Sequence, residues 1–147
     1  MFVQVIISLG IIALTIVIHG LGTFYLLNLI IRRHGGNGEF LGFNKTMQVL
    51  SYTAITLMLL HYLEIGLWAL AYLFIPELDK ISTWEEAIYF STVTYTTLGY
   101  GDITLPPIWR VMSGFEAMNG ILLFGWSTAM FYAVVERMLV IVNKQKK

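Results

Sequence analysis

The sequence predicts an all-helical membrane protein, with three transmembrane helices and one short helix that enters the membrane without crossing it. Of the 147 residues, 57% are hydrophobic and only 12% are charged, which is about half the roughly 25% charged residues of an average soluble domain. Three apolar segments also exceed the roughly 20 residues that a transmembrane helix needs. A soluble fold could not cover its surface with so few charged residues.

The first apolar segment runs from Phe2 to Ile31. It lacks a positively charged start and a small-residue cleavage site, and it is too long for the core of a signal peptide. We therefore expect a retained transmembrane helix. Arg32 and Arg33 follow it, and the glycine-rich residues 35–38 favour a turn. Residues 1–46 are thus predicted to form an N-terminal helix and a cytoplasmic loop.

The second apolar segment, 47–75, ends at Pro76, which removes a backbone donor and normally breaks a helix. Thr83 and Glu86 then have the spacing of a capping box, which predicts a helix over 84–96. Its 13 residues would be about 20 Å long at 1.5 Å per residue, shorter than a hydrocarbon core of about 30 Å. This helix is therefore expected to enter the membrane and stop.

The third apolar segment, 108–142, has 35 residues and can cross with a tilt. Seven Lys and Arg residues lie near the first loop and the C-terminus on one side of the membrane, and two, Lys80 and Arg110, lie on the other side. The positive side is normally cytoplasmic, so we expect a multi-pass protein of the plasma or inner membrane with its N-terminus outside and its C-terminus in the cytoplasm. The outer segment would then form an acidic mouth that attracts cations, with Glu77, Asp79, Glu85, Glu86 and Asp102.

Several function classes are disfavoured. The chain has 9 basic and 9 acidic residues and no basic patch, so nucleic acid is not an expected partner. Cysteine is absent, which excludes thiolate metal sites and thiol nucleophiles. The sequence contains no phosphate-binding loop, catalytic triad or metal-ligand spacing. We therefore expect no enzyme, no cofactor and no small-molecule substrate.

Residues 97–102 follow the short helix and carry the clearest chemical signal. Within a membrane, irregular backbone is tolerated only where protein buries it or where it lines a watery cavity. Gly99 and Gly101 permit backbone conformations that let successive carbonyls point the same way. Aligned carbonyls can replace water around a cation. The candidate ligands are the carbonyls of Thr97, Leu98, Gly99 and Tyr100 with the Thr97 hydroxyl.

The run Thr97-Leu98-Gly99-Tyr100-Gly101 resembles the selectivity filter of the pore-loop potassium channels, Thr-Val-Gly-Tyr-Gly, and differs only at Leu98. The resemblance extends over about residues 51–138, and Asp102 occupies the acidic position that follows the family filter. It implies K⁺ at Thr97, Leu98, Gly99 and Tyr100. It also implies a pore module over 47–147, with an outer helix 47–75, a pore helix 84–96, a filter 97–102 and an inner helix 108–142. One filter segment cannot enclose an ion, so the resemblance implies a homotetramer surrounded by membrane lipid.

The resemblance assigns further roles on the inner helix. Gly120 falls at the position of a hinge glycine in the family. By the same alignment, three side chains would line the central cavity: Ile121, Phe124 and Thr128.

The predicted pore helix departs from the family pattern, because members often carry two tryptophans where this chain has Tyr89 and Phe90. Tyr89 can still donate a hydrogen bond to Asp102 and support the filter, but Phe90 cannot do the same for the hydroxyl of Tyr100. Two interpretations stay open. The filter either inactivates more readily, or packing alone holds it.

Several polar residues fall within the apolar segments. Counted from the predicted boundaries, His19 and His61 share a depth, and Glu64 and Glu116 lie roughly level. Ionisable groups inside a membrane are costly and usually face protein or water. We expect one polar cluster, which either fixes the docking of the first helix or makes gating proton-dependent. Its members would be His19, His61, Glu64, Glu116 and Asn119.

The function favoured by these patterns is a passive potassium-selective channel. No arginine repeat typical of a voltage sensor occurs in the first two segments. Two alternatives from other classes are a non-conducting pore-like membrane protein that serves assembly or signalling, and a proton-linked cation transporter that uses the His and Glu cluster.

Overall fold

The computed structural model of the chain describes residues 2–34, 43–75, 77, 78 and 80–143. These residues form four helices: α1 (Phe2–His34), α2 (Phe43–Leu73), α3 (Trp84–Tyr95) and α4 (Arg110–Asn143). By length and composition, α1, α2 and α4 can each cross a membrane. The predicted glycine turn at 35–38, the predicted helix break at Pro76, Asp79 of the acidic mouth and the C-terminal lysines lie outside the described residues.

The helix ends differ from the predicted ones by a few residues. α2 begins at Phe43, four residues before the expected start, and it ends two residues early at Leu73. The amides of Phe74 and Ile75 bond to carbonyls three residues back, each at 3.2 Å, so the chain leaves α2 through tighter turns before Pro76. α4 begins at Arg110, two residues later than expected.

The helix α1 packs against α2 and α4 through a face that is largely polar. Its buried side chains recur at intervals of three, four and seven residues along one side of the helix. Lipid tails are as apolar as these helices, so helix association in a membrane depends on close packing and interhelical hydrogen bonds. The polar face of α1 supplies such bonds. Its buried polar members are Gln4, Ser8, Thr15, His19 and Thr23.

The short helix α3 is held between α2 and α4. Trp68, Ala69 and Tyr72 of α2 are completely buried in an apolar cluster that also includes Ala87 and Phe90 of α3. This packing fixes the position of α3, and therefore of the chain that follows it.

The N-terminus of α3 has the predicted capping box. The amide of Glu86 donates to Thr83 Oγ1 at 3.2 Å, and Glu86 Oε2 accepts the amide of Thr83 at 3.0 Å. The amide of Ser82 donates to the same oxygen at 2.9 Å, and these backbone N–H groups of Ser82 and Thr83 lower the pKa of Glu86. With 12 residues, α3 is about 18 Å long, too short to cross a bilayer.

Candidate functional site

The loop of residues 97–102 follows the C-terminal end of α3 and is hydrogen-bonded to it. The amide of Thr97 donates to the carbonyl of Thr94 at 2.9 Å. The amides of Leu98 and Gly99 both donate to the carbonyl of Val93, at 2.9 and 3.2 Å. These bonds use carbonyls at the end of the helix, which have no partner within it, and they fix where the loop starts.

The backbone of this loop alternates in handedness. Thr97, Gly99 and Gly101 have φ values of 61, 58 and 79°, and the intervening residues are not among those with positive φ. In an ordinary strand successive carbonyls point to opposite sides. When conformations of opposite hand alternate, every second peptide is turned over and the carbonyls can line one side.

Among the residues of this loop, Thr97 has the least expected backbone conformation. It is the one non-glycine residue with a positive φ among the described residues, and a β-branched side chain is a genuine outlier in that region. Such strain persists only where the surroundings enforce it, and it clusters at functional sites. The sequence indicated the two glycines but not the conformation of Thr97.

The loop leaves large side chains uncovered in the single chain. Leu98 is 56% exposed and Tyr100 is 67% exposed. On α4, Ile121 is also exposed, at 62%. One chain therefore presents the loop and one side of α4 as an open surface.

Tyr89 and Asp102 connect the outer end of the loop to α3, in the contact that the sequence suggested. Tyr89 Oη donates to Asp102 Oδ2 at 2.7 Å. This hydrogen bond is the main cause that lowers the pKa of Asp102 and raises that of Tyr89. The carboxylate is thus stabilised in its charged form at the end of the loop.

Phe90, the other departure from the family pattern, faces inward. It is 6% exposed, and its ring meets that of Tyr72 nearly edge-on, with centroids 5.0 Å apart. Phe90 therefore contributes to the packing of α3 against α2.

The three residues expected to line a cavity have different surroundings. Ile121 and Thr128 are exposed in the single chain. Phe124 is half-buried, with its ring centroid 4.4 Å from that of His61 and 5.5 Å from that of Tyr95. The structure thus places Phe124 in the packing among α2, α3 and α4, because its ring fills the space beside these two side chains.

Gly120 lies where α4 passes closest to the end of α3. A Cβ at this position would overlap the carbonyl oxygen of Tyr95 and would lie 2.9 Å from its carbonyl carbon. The close approach of the two backbones therefore requires glycine here, whatever the position contributes as a hinge.

The predicted polar cluster is divided into three separate groups. In the first, His19 Nδ1 lies 2.8 Å from Glu64 Oε1, and His61 Nδ1 lies 3.2 Å from Glu64 Oε2. Two residues that the sequence did not indicate complete this group. Tyr95 Oη donates to Glu64 Oε2 at 2.7 Å, and Ser127 Oγ lies 2.9 Å from His61 Nε2 and 3.2 Å from His19 Nε2.

Glu116 and Asn119 do not join the histidines, which corrects the expectation of a single cluster. Glu116 accepts the hydroxyl of Tyr72 at 2.6 Å and also that of Ser91, so it connects α4 to α2 and α3. Asn119 Nδ2 donates to Thr15 Oγ1 at 2.9 Å and connects α4 to α1. The depths along the helices were similar, but the side chains face different neighbours.

Comparison with known families decides the class of the protein. A family described as ion channel matches residues 52–137, more than half of the chain. The chain belongs to this ion channel family. The matched residues cover most of α2, all of α3, the 97–102 loop and most of α4. Neither a curated protein nor a solved structure matches the chain.

Family membership and fold together give the coarse function. The channel is a multi-pass membrane protein for ion transport, with three helices able to cross a membrane. The first helix, α1, lies before the matched segment and adds a third long apolar helix to it.

Proposed function

We propose that the channel conducts K⁺ selectively and passively through a filter formed by residues 97–102 of four identical chains. The observation that carries the proposal is the alternation of positive φ at Thr97, Gly99 and Gly101. In this arrangement the carbonyls of Thr97 to Tyr100 can face one axis and take the place of water around a dehydrated cation. Gly120, Ile121, Phe124 and Thr128 would then belong to the inner helix of the pore.

The side chains that a single chain leaves exposed support the homotetramer. One loop cannot surround an ion, and Leu98 and Tyr100 are mostly exposed. Closed symmetry around one axis would repeat the loop and cover these side chains. In this assembly α3 is a re-entrant pore helix, residues 1–46 form an added N-terminal unit, and residues 47–147 form the pore module.

Negative charges outside the membrane-spanning segments support the attraction of cations to the pore. Glu77, Glu85 and Asp102 are exposed, and the hydrogen bond from Tyr89 lowers the pKa of Asp102. Negative charge at the pore mouth raises the local cation concentration. We place this mouth outside the cell, with the N-terminus outside and the C-terminus in the cytoplasm of a plasma or inner membrane.

The experiment is a flux measurement on proteoliposomes that contain the purified channel. We expect K⁺ flux that barium blocks, with little Na⁺ flux. Gly99→Ala should abolish it, because a side chain at a φ of 58° is strained even though its nearest other atom would be 4.0 Å away. Gly66→Ala is the matched control, since a Cβ at this helical glycine meets nothing within 4 Å.

Three results would contradict the proposal. Equal fluxes of K⁺ and Na⁺ would refute selectivity. Absence of flux from a folded tetramer would favour a non-conducting role. Flux that depends on a proton gradient and survives Gly99→Ala would favour a proton-linked transporter.

A further inference from the structure

The polar group around Glu64 is the point at which all four helices meet. His19 comes from α1, His61 and Glu64 from α2, Tyr95 from α3 and Ser127 from α4. The two histidines and Glu64 are buried, with exposures of 0, 5 and 0%. The proposed conduction path does not use any of these three side chains.

We propose that His19, His61 and Glu64 form a binding site for a divalent transition-metal ion of the zinc type. Each can offer one ligand atom, and the three atoms lie within 4.8 Å of one another. Two imidazoles and one carboxylate are a ligand set that zinc uses in proteins. Since the ligands come from α1 and α2, the ion would join the added helix to the pore module.

The distance from each imidazole to the carboxylate suits such an ion. Ligands about 2.0 Å from a tetrahedral zinc ion are about 3.3 Å from each other. The Nδ1 atoms of His19 and His61 lie 2.8 and 3.2 Å from the two oxygens of Glu64. Tyr95 Oη, 3.2 Å from His61 Nδ1, lies beside these atoms as an oxygen for a fourth ligand position.

The outer hydrogen bonds also fit. A histidine that binds a metal through Nδ1 carries its proton on Nε2, and this N–H almost always has an acceptor. Both Nε2 atoms lie next to Ser127 Oγ, at 3.2 Å for His19 and 2.9 Å for His61. A hydroxyl oxygen has two lone pairs, so Ser127 can accept both.

Counting hydrogens shows that the ionised group can accommodate one further cation. If Glu64 is a carboxylate that accepts from Tyr95 and from both Nδ1 atoms, both Nε2 atoms become acceptors. The single hydrogen of Ser127 can then serve only one of them. A single proton shared by these groups would satisfy the same contacts as a metal ion. The decisive experiment must therefore distinguish a bound metal ion from a bound proton.

The experiment is equilibrium dialysis of the purified full-length channel against Zn²⁺ at fixed pH, followed by elemental analysis. We expect one Zn²⁺ per chain, retained in excess Mg²⁺ because imidazole prefers zinc to magnesium. The double substitution His19→Gln with His61→Gln should weaken binding by more than about 100-fold, since inner ligands contribute more than outer hydrogen bonds. His34→Gln, at the remaining histidine of the chain, is the control and should keep the wild-type affinity.

A second variant tests the site even if the double variant fails to fold. Ser127→Ala keeps all three ligands and removes only the shared hydroxyl, so we expect zinc affinity about 10- to 100-fold weaker than in the wild type. A folded wild type that takes up no zinc would overturn the proposal and leave a shared proton as the occupant. Unchanged affinity in Ser127→Ala, or in a folded double variant, would also overturn it. Because binding is measured without ion flux, this outcome is independent of conduction.

Discussion

The backbone of Tyr95 occupies the space where a side chain at Gly120 would lie. This contact brings α4 against the last residue of α3, two residues before the strained loop begins at Thr97. The hydroxyl of the same tyrosine donates to Glu64. Tyr95 therefore joins three features, namely the end of the short helix, the closest point of α4 and the buried group that holds α1.

Gly120→Ala should destabilise the channel and reduce conduction. The added methyl group overlaps a backbone carbonyl, which cannot rotate away as a side chain would, and overpacking of this kind costs about 1–3 kcal/mol. The midpoint temperature of unfolding in detergent measures the loss.

Gly125→Ala is the control for that substitution, because a Cβ at Gly125 on the same helix meets nothing within 4 Å. If Gly120 acted only as a hinge, both variants would unfold at the same temperature and only the opening of the channel would change. Equal stability of the two variants would therefore contradict the packing role.

Tyr89→Phe should make the channel more sensitive to acid. The hydrogen bond from Tyr89 holds the pKa of Asp102 below its ordinary value of 3.8. A carboxylate with a lowered pKa contributes stability above its ordinary pKa, and this contribution is lost as the pH falls through the lowered value. Without the hydroxyl, Asp102 takes up its proton at a higher pH.

The measurement for Tyr89→Phe is current as a function of external pH between about 3 and 6. We expect the variant to lose current at a higher pH than the wild type. Tyr132→Phe, at an exposed tyrosine on α4, should behave as the wild type. Superimposable curves for Tyr89→Phe and the wild type would show that the bond does not support the loop.

Glu116→Leu should destabilise the channel more than Glu116→Gln does. Leucine leaves the buried hydroxyl of Tyr72 without its acceptor, which costs about 1–3 kcal/mol. Ser91 keeps a bond to the carbonyl of Ile65 at 2.9 Å, so its loss is smaller. Glutamine retains an oxygen that can accept from Tyr72.

Unfolding in detergent compares these two variants, with Glu136→Gln at an exposed position of α4 as the control. We expect Glu136→Gln to be close to the wild type. A leucine variant as stable as the glutamine variant would mean that Glu116 is not needed to satisfy Tyr72.

Much of the fold could be predicted because its signals are local. The spacing of Thr83 and Glu86 predicted the start of α3, and the two residues form the expected capping box. Gly99 and Gly101 indicated positive φ, which both residues have. Apolar length predicted the three long helices. Each of these depends on residues that are neighbours in the chain.

The polar contacts could be predicted only in part, because counting along a helix gives depth and not rotation. His19, His61 and Glu64 do meet, but Glu116 and Asn119 at similar depths face other partners. Tyr95 and Ser127 were missed because their role depends on how four helices pack. One usable signal was present in α1, where Thr15 and Thr23 lie four residues to either side of His19 and so share its face.

The bond between Thr15 and Asn119 should couple α1 to α4 energetically. Interhelical hydrogen bonds in membranes contribute about 0.6 kcal/mol on average and about 1.7 at most. A double-mutant cycle with Thr15→Val and Asn119→Leu, measured by unfolding in detergent, should give a coupling energy in this range. The two sites are in contact at 2.9 Å, so additivity is not expected.

Thr23→Val combined with Asn119→Leu is the matched cycle. The Thr23 hydroxyl donates within α1 to the carbonyl of His19 at 2.8 Å, so its removal deletes the same chemical group at a position where the hydrogen bond stays within α1. We expect a coupling energy near zero for this pair. If both cycles gave the same value, the polar face of α1 would not act through specific bonds, and packing alone would hold the added helix to the pore module.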